Sequence, residues 1–116
     1  MRPIILTNVV KGSGLHENES FGPAVAIYTF ETEEEGLAIA NDTDYDLSGA
    51  VFTEKSSDWL QIARAYETDA VHINAITIHD ENSLPHGGVK ESGFGRFNSL
   101  PRLEKFLRNK VVTWKD

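Results

Sequence analysis

The sequence predicts an α/β protein: a small layered sheet with flanking helices, in a single domain over residues 1–116. Three observations carry this. Runs of β-branched and aromatic residues recur along the chain. Between them lie segments whose apolar residues fall at helical spacing. One long glycine-rich loop then interrupts the alternation, which otherwise places strands around a sheet with helices on its faces. A chain of this size buries about two thirds of the surface its unfolded form exposes, so one core is expected.

The elements follow in order. "PIILTNVV" (Pro3 to Val10) and "AVAIYTF" (Ala24 to Phe30) are expected strands, separated by a Gly/Ser/Asn-containing turn region from Lys11 to Gly22. Thr32 followed by Glu35 forms a T-x-x-E capping box, which starts a helix through "GLAIAN", and acidic residues in its first turn suit the helix dipole. "LSGAVFT" (Leu47 to Thr53) is the next strand, after the Asn/Asp-rich turn at Asn41 to Asp46. Trp59, Ile62, Ala63 and Tyr66 share one face of a helix capped by Ser56 or Ser57, an aromatic stripe that reads as core. In "AVHIN" (Ala70 to Asn74), Val71 and Ile73 share one face of a strand while His72 and Asn74 share the other. Ile76 to Asn98 is loop, "SLPRLEKFLRN" a last helix, and Val111 to Trp114 a final strand.

Composition narrows the function. Eleven basic against eighteen acidic residues give a net charge of −7, which repels phosphate backbones and anionic membranes, so neither nucleic acid nor membrane is an expected partner. Met1 to Thr7 holds only a three-residue apolar run, far short of a signal segment, and nothing approaches the roughly 20 apolar residues of a membrane span. A cytoplasmic location is expected. With no cysteine, the 116 residues hold no disulfide, thiolate metal site or thiol nucleophile.

The loop "IHDENSLPHGGVKESGFGR" packs two histidines, three carboxylates, two basic residues and four glycines into nineteen positions. His79, His86, Asp80 and Glu81 are its candidate acid–base groups, because imidazole takes and gives protons near neutral pH and a carboxylate can orient it. A solvated polar loop is the plainer reading. The glycines favour function, since they let backbone approach a ligand closely. His72, His79 and His86 stand seven apart, but Pro85, Gly87 and Gly88 rule out the continuous helix that would align them, so no metal site is expected. "GSGLHE" and "GFGRFN" imitate a dinucleotide fingerprint without its third glycine, and read as turns.

"ESFGPAVAIYTFETEEEGLAIANDTDY", "LSGAVFT", "AVHINAITIHDENSLPHGGVKESGFGR" and "VVTW" together resemble the C-terminal portion of the aldehyde dehydrogenase superfamily, nearest its branch for salicylaldehyde- and vanillin-like aromatic aldehydes. The resemblance implies that Glu19, Phe21, Gly22 and Pro23 match a motif contacting the nicotinamide ribose and ring. It implies too that Asn74 to His86 border the aldehyde pocket, that Gly87 to Gly93 shape it, and that the last strand serves subunit assembly. His72, Asn74, Lys90 and Phe94 are the expected substrate-binding residues. The sequence departs from the pattern at Asp46 and Asp69, where glycine is usual, and at His86, where phenylalanine is common.

Members of that family are several times longer, and their nucleotide-binding domain and nucleophilic cysteine have no counterpart in these residues, which suggests a truncated form. An independent NAD-dependent dehydrogenase is therefore not expected; no cofactor is assigned, and Glu19 and Phe21 are treated as vestigial. The favoured expectation is a cofactor-independent catalyst or binder of a small carbonyl compound, working by proton transfer in isomerisation, aldol-type or cyclisation chemistry. The alternatives are a non-catalytic interaction module and aldehyde oxidation completed by a partner chain. A symmetric homodimer through Val111 to Trp114 or Pro3 to Val10 is expected from uncovered strand edges.

Overall fold

A computed structural model describes residues 1–54 and 59–115; Ser56 and Ser57, the expected helix caps, lie outside the described residues. Strand β1 (Ile4–Thr7) pairs in parallel with β2 (Ala24–Ile27), in register from Ile4 opposite Ala24 to Thr7 opposite Ile27. The connection between them carries a single helical turn, α1 (Gly14–Glu17). Helix α2 (Glu33–Asn41) starts where the capping box places it. The Thr32 side chain accepts the Glu35 N–H at 3.2 Å, while the Glu35 carboxylate accepts the N–H of Glu31 at 2.9 Å, one residue before the cap.

Two short strands follow, β3 (Tyr45–Asp46) and β4 (Ser48–Val51), then α3 (Trp59–Ala65), β5 (Ala70–Ile73), β6 (Val89–Lys90) and α4 (Ser99–Glu104). Strand β4 lies parallel to β5 from Ser48 opposite Ala70 to Val51 opposite Ile73, and β3 lies antiparallel to β6. The α/β class is as expected, but the sheet is divided into three two-stranded ladders.

Three expectations need correction. The last helix stops at Glu104, well short of Asn109. Val111 to Trp114 form no strand: a strand exists only through pairing of its backbone, and none of the described residues supplies a ladder there. Nor is there a single core. Among the described residues no hydrophobic side chain is buried, and the buried polar ones are Asp46 and Asn98.

The physical reason is that the ladders are only partly covered by the helices. Tyr66 packs onto Gly49 of β4, and Phe30 onto Gly36 of α2. Ile4, Ile5, Val25 and Ile27 on β1 and β2 each remain about half exposed or more. The radius of gyration is 19.0 Å, against about 13 Å for a compact domain of this length. The molecule is 73 Å long, and its accessible surface is 9774 Å² where roughly 6,300 Å² is typical of a folded monomer of this mass.

Candidate functional site

A groove of about 460 Å³ opens between the start of β4 and the long loop, lined by Leu47 and Ser48 on one side and by Thr77, Ile78, His79, Asp80 and His86 on the other, with Glu19 at its rim. The loop can stand there because β5 ends at Ile73 and the next residue, Asn74, turns the backbone with φ 53°. Asparagine tolerates that region better than most residues.

The loop's polar residues are tied to one another. The Ser48 hydroxyl donates to the Thr77 carbonyl at 3.3 Å and meets His72 Nε2 at 3.0 Å. The His72 and His79 rings meet edge to face at 5.7 Å between centroids. His79 Nε2 lies 3.2 Å from a Glu81 carboxylate oxygen, both side chains being about half exposed. Asp80 accepts from the Asn98 amide at 2.5 Å, and the same amide reaches the Glu81 carbonyl at 3.3 Å. His86 exchanges both backbone hydrogen bonds with Phe97, and its ring meets the Phe97 ring edge-on at 5.1 Å.

The expected site residues thus divide. His79, Asp80, His86 and Glu19 line the groove, and Glu81 and His72 stand directly behind it. Asn74 is committed elsewhere: its side chain accepts the Thr53 N–H at 2.8 Å and donates to the Thr53 carbonyl at 2.9 Å, prolonging the β4–β5 ladder by one rung. Lys90 turns away to Asp46, Glu67 and the carbonyls of Asn41 and Thr43. The hydrogen bond it donates to Asp46, with Glu67 adding to it, raises the Lys90 ammonium above its usual pKa against the opposing effect of desolvation. Phe94 and Phe21 are each 98% exposed and touch no part of the groove.

Sequence reasoning missed Ser48, Asn98 and the tethering by Asp46 and Asp69. Asn98 left a signal, since an asparagine before a helix start accepts unusual backbone geometry, and here φ is 61°. Asp46 and Asp69 stood out only as departures from glycine, and Ser48 left no signal, because what matters is the loop that folds back onto them. A second cluster was also missed. Lys11 contacts Asp42 at 2.6 Å, and His16, only 12% exposed, lies between Asp42 at 3.5 Å and the Tyr28 hydroxyl at 3.0 Å. It encloses about 90 Å³ and lies apart from the groove. Among the described residues no three His, Cys, Asp or Glu side chains are grouped to hold a metal ion, and no helix is long and apolar enough to cross a membrane.

Residues 1–112 match the aldehyde dehydrogenase family. The chain belongs to that family. It is 37% identical over 113 residues to a vanillin dehydrogenase of Pseudomonas sp. strain HR199, covering 97% of this chain and 24% of the relative. A salicylaldehyde dehydrogenase of Pseudomonas putida is 34% identical over 113 residues, with 97% and 23% covered. Among solved structures, a succinic semialdehyde dehydrogenase from Streptococcus pyogenes in complex with NADP+ superposes with TM-score 0.89 at 30% identity, over 100% of this chain and 25% of that one. The salicylaldehyde dehydrogenase from Pseudomonas putida G7, complexed with salicylaldehyde, gives 0.82 at 34% identity over 87% and 21%. The chain spans about a quarter of the length of the relatives it matches.

Proposed function

We propose that these residues supply one wall of the aldehyde groove in an NAD(P)-dependent aldehyde oxidation, and that they work when their apolar faces are seated on the nucleotide-binding and thiol-bearing parts of the aldehyde dehydrogenase fold. The observation carrying this is the want of any buried hydrophobic side chain among the described residues. The surface in excess of a compact monomer, roughly 3,500 Å² on this one side, is more than enough for a permanent interface. Burying it on a complementary surface restores the hydrophobic stabilisation that the chain does not generate within itself.

The exposed Phe21 ring and the Glu19 carboxylate fit the nicotinamide end of a dinucleotide, one offering an apolar face and the other an acceptor for ribose hydroxyls. The bound coenzyme would accept hydride from the carbonyl carbon. The chain's own part is to hold the aldehyde. Leu47 and Ile78 give the groove apolar walls, while His79, oriented by Glu81, and His86 offer polar edges to the substrate. No cysteine is present in the 116 residues, so the thiol that attacks the aldehyde comes from outside them.

The test combines the purified chain with the first three quarters of the Pseudomonas vanillin dehydrogenase and follows NADH at its absorbance maximum with an aromatic aldehyde. Turnover is expected from the mixture and from neither part alone. NADH formation by the chain alone, or an inert mixture, overturns the reading.

A second reading keeps the groove as a cofactor-independent proton-transfer site for a carbonyl compound. Its support is the His79–Glu81 pair, the arrangement that orients an imidazole for general acid–base work. Deuterium exchange at the α-carbon of a ketone or aldehyde probe, present with the parent chain and lost in His79→Ala, is its expected result; equal exchange in both variants removes it.

A further inference from the structure

We infer that Asp46 and Asp69 are positioning residues that together fix the spacing between the two walls of the groove. The inference rests on the proposed function for what occupies the groove, and on geometry alone for the fastening itself.

The segment from Gly87 to Arg96 is folded tightly on itself. A Cβ at Gly87 would strike the Gly95 carbonyl, and one at Gly88 would strike the backbone at Ser92. Arg96 closes the fold from inside, donating to the carbonyls of Gly88 at 3.0 Å and Gly95 at 2.8 Å. Such a segment moves as one body, so its place is set by whatever anchors it.

Besides the β3–β6 pairing, two aspartates fasten the segment from the opposite side, Asp46 at its middle and Asp69 at both its ends. Asp46 in β3, 3% exposed, holds Lys90 Nζ at 2.5 Å, while its own N–H donates to the Ser92 hydroxyl at 2.8 Å. Asp69, immediately before β5, uses both carboxylate oxygens: one accepts the Gly87 N–H at 3.0 Å and the other holds the Arg96 guanidinium at 2.5 Å. Both anchors act next door to a groove wall. Asp46 directly precedes Leu47 and Ser48, and Gly87 directly follows His86. Ion pairs to largely buried carboxylates are close and weakly screened by salt, which suits them to setting a distance. With either carboxylate gone the segment would be free to shift about the β3–β6 pairing and carry His86 away from Ser48.

Two measurements test this. In the assembled mixture described above, Asp46→Ala and Asp69→Ala should each raise the KM for the aromatic aldehyde roughly ten-fold while leaving kcat within about two-fold, the pattern of lost substrate binding. On the chain itself, amide hydrogen exchange in the peptide 84–98 should speed by roughly ten-fold in Asp69→Ala, with the peptide 1–30 unchanged. Exchanging the partners, Asp69→Arg with Arg96→Asp, should restore protection. Unchanged exchange in 84–98, equal acceleration in both peptides, or a loop already exchanging at the free-peptide rate in the parent chain overturns the inference, as does an unaltered KM. If the parent mixture makes no NADH, the functional reading fails while the exchange result still decides the anchors.

Discussion

Tyr66 sits so closely over Gly49 that a Cβ at that glycine would run into the phenol ring. This contact joins the turn after α3 to the middle of β4. Burial raises the Tyr66 hydroxyl above its ordinary pKa, and the charge of Asp46 adds to the effect. Gly49→Ala should therefore destabilise the β4–β5 unit by roughly 1–3 kcal/mol, the usual cost of overpacking. Denaturant midpoints measure it, and a companion Tyr66→Leu change should recover most of the loss.

Asn74 should behave as a structural residue. Asn74→Ala leaves the Thr53 N–H and carbonyl without their side-chain partners, at a cost of roughly 1–3 kcal/mol. Its melting temperature should fall, whereas ligand affinity in the fraction that remains folded should hold. A large affinity loss at unchanged stability would return Asn74 to the substrate site.

The Lys11–Asp42 contact predicts a broad pH plateau. The Lys11 hydrogen bond, joined by the His16 contact, lowers the Asp42 pKa below 3.8. Asp42's contribution is present above that reference value and lost as pH falls through the lowered one. Lys11 is raised above 10.5, chiefly by the same hydrogen bond. Its contribution is present below 10.5 and lost as pH rises through the raised value. NMR titration of the Asp42 carboxyl carbon should give a midpoint below 3.8; a midpoint at or above that value contradicts the contact.

Ile5, 65% exposed on β1, should matter to assembly and not to the chain alone. Ile5→Lys is expected to leave the isolated chain's unfolding within about 0.5 kcal/mol of the parent, as surface changes do. It should weaken association with the complementary part by roughly ten-fold or more, since it places a charge in an apolar seam. Sedimentation or calorimetric titration reads the difference.

Much of the fold was legible because its signals are local. Thr32 and Glu35 announced a cap that forms, and Val71 with Ile73 announced a strand that pairs. The glycine and proline clusters marked the loop from Ile76 to Asn98, interrupted only by β6 and the His86–Phe97 bridge. Val111 to Trp114 carries a strand's composition without a strand's partner, and composition cannot reveal what a backbone pairs with. The site was half legible. His79, Asp80 and His86 do reach one groove, as their density in the loop suggested. Lys90 and Asn74 do not, because contacts 21 or more residues away along the chain claim them first. The apolar stripe from Trp59 to Tyr66 suggested a core, yet a stripe states only that a face seeks cover; Leu60 and Trp59 remain 43% and 37% exposed.

The 73 Å length of the molecule has a consequence during biosynthesis. A nascent polypeptide whose greasy surfaces await a counterpart is held in the interval by nothing but dilution and chaperones. Self-association climbs with concentration faster than productive docking does when the counterpart is scarce. Yield in the soluble fraction should accordingly fall as expression is driven harder, and recover when the complementary piece is produced alongside.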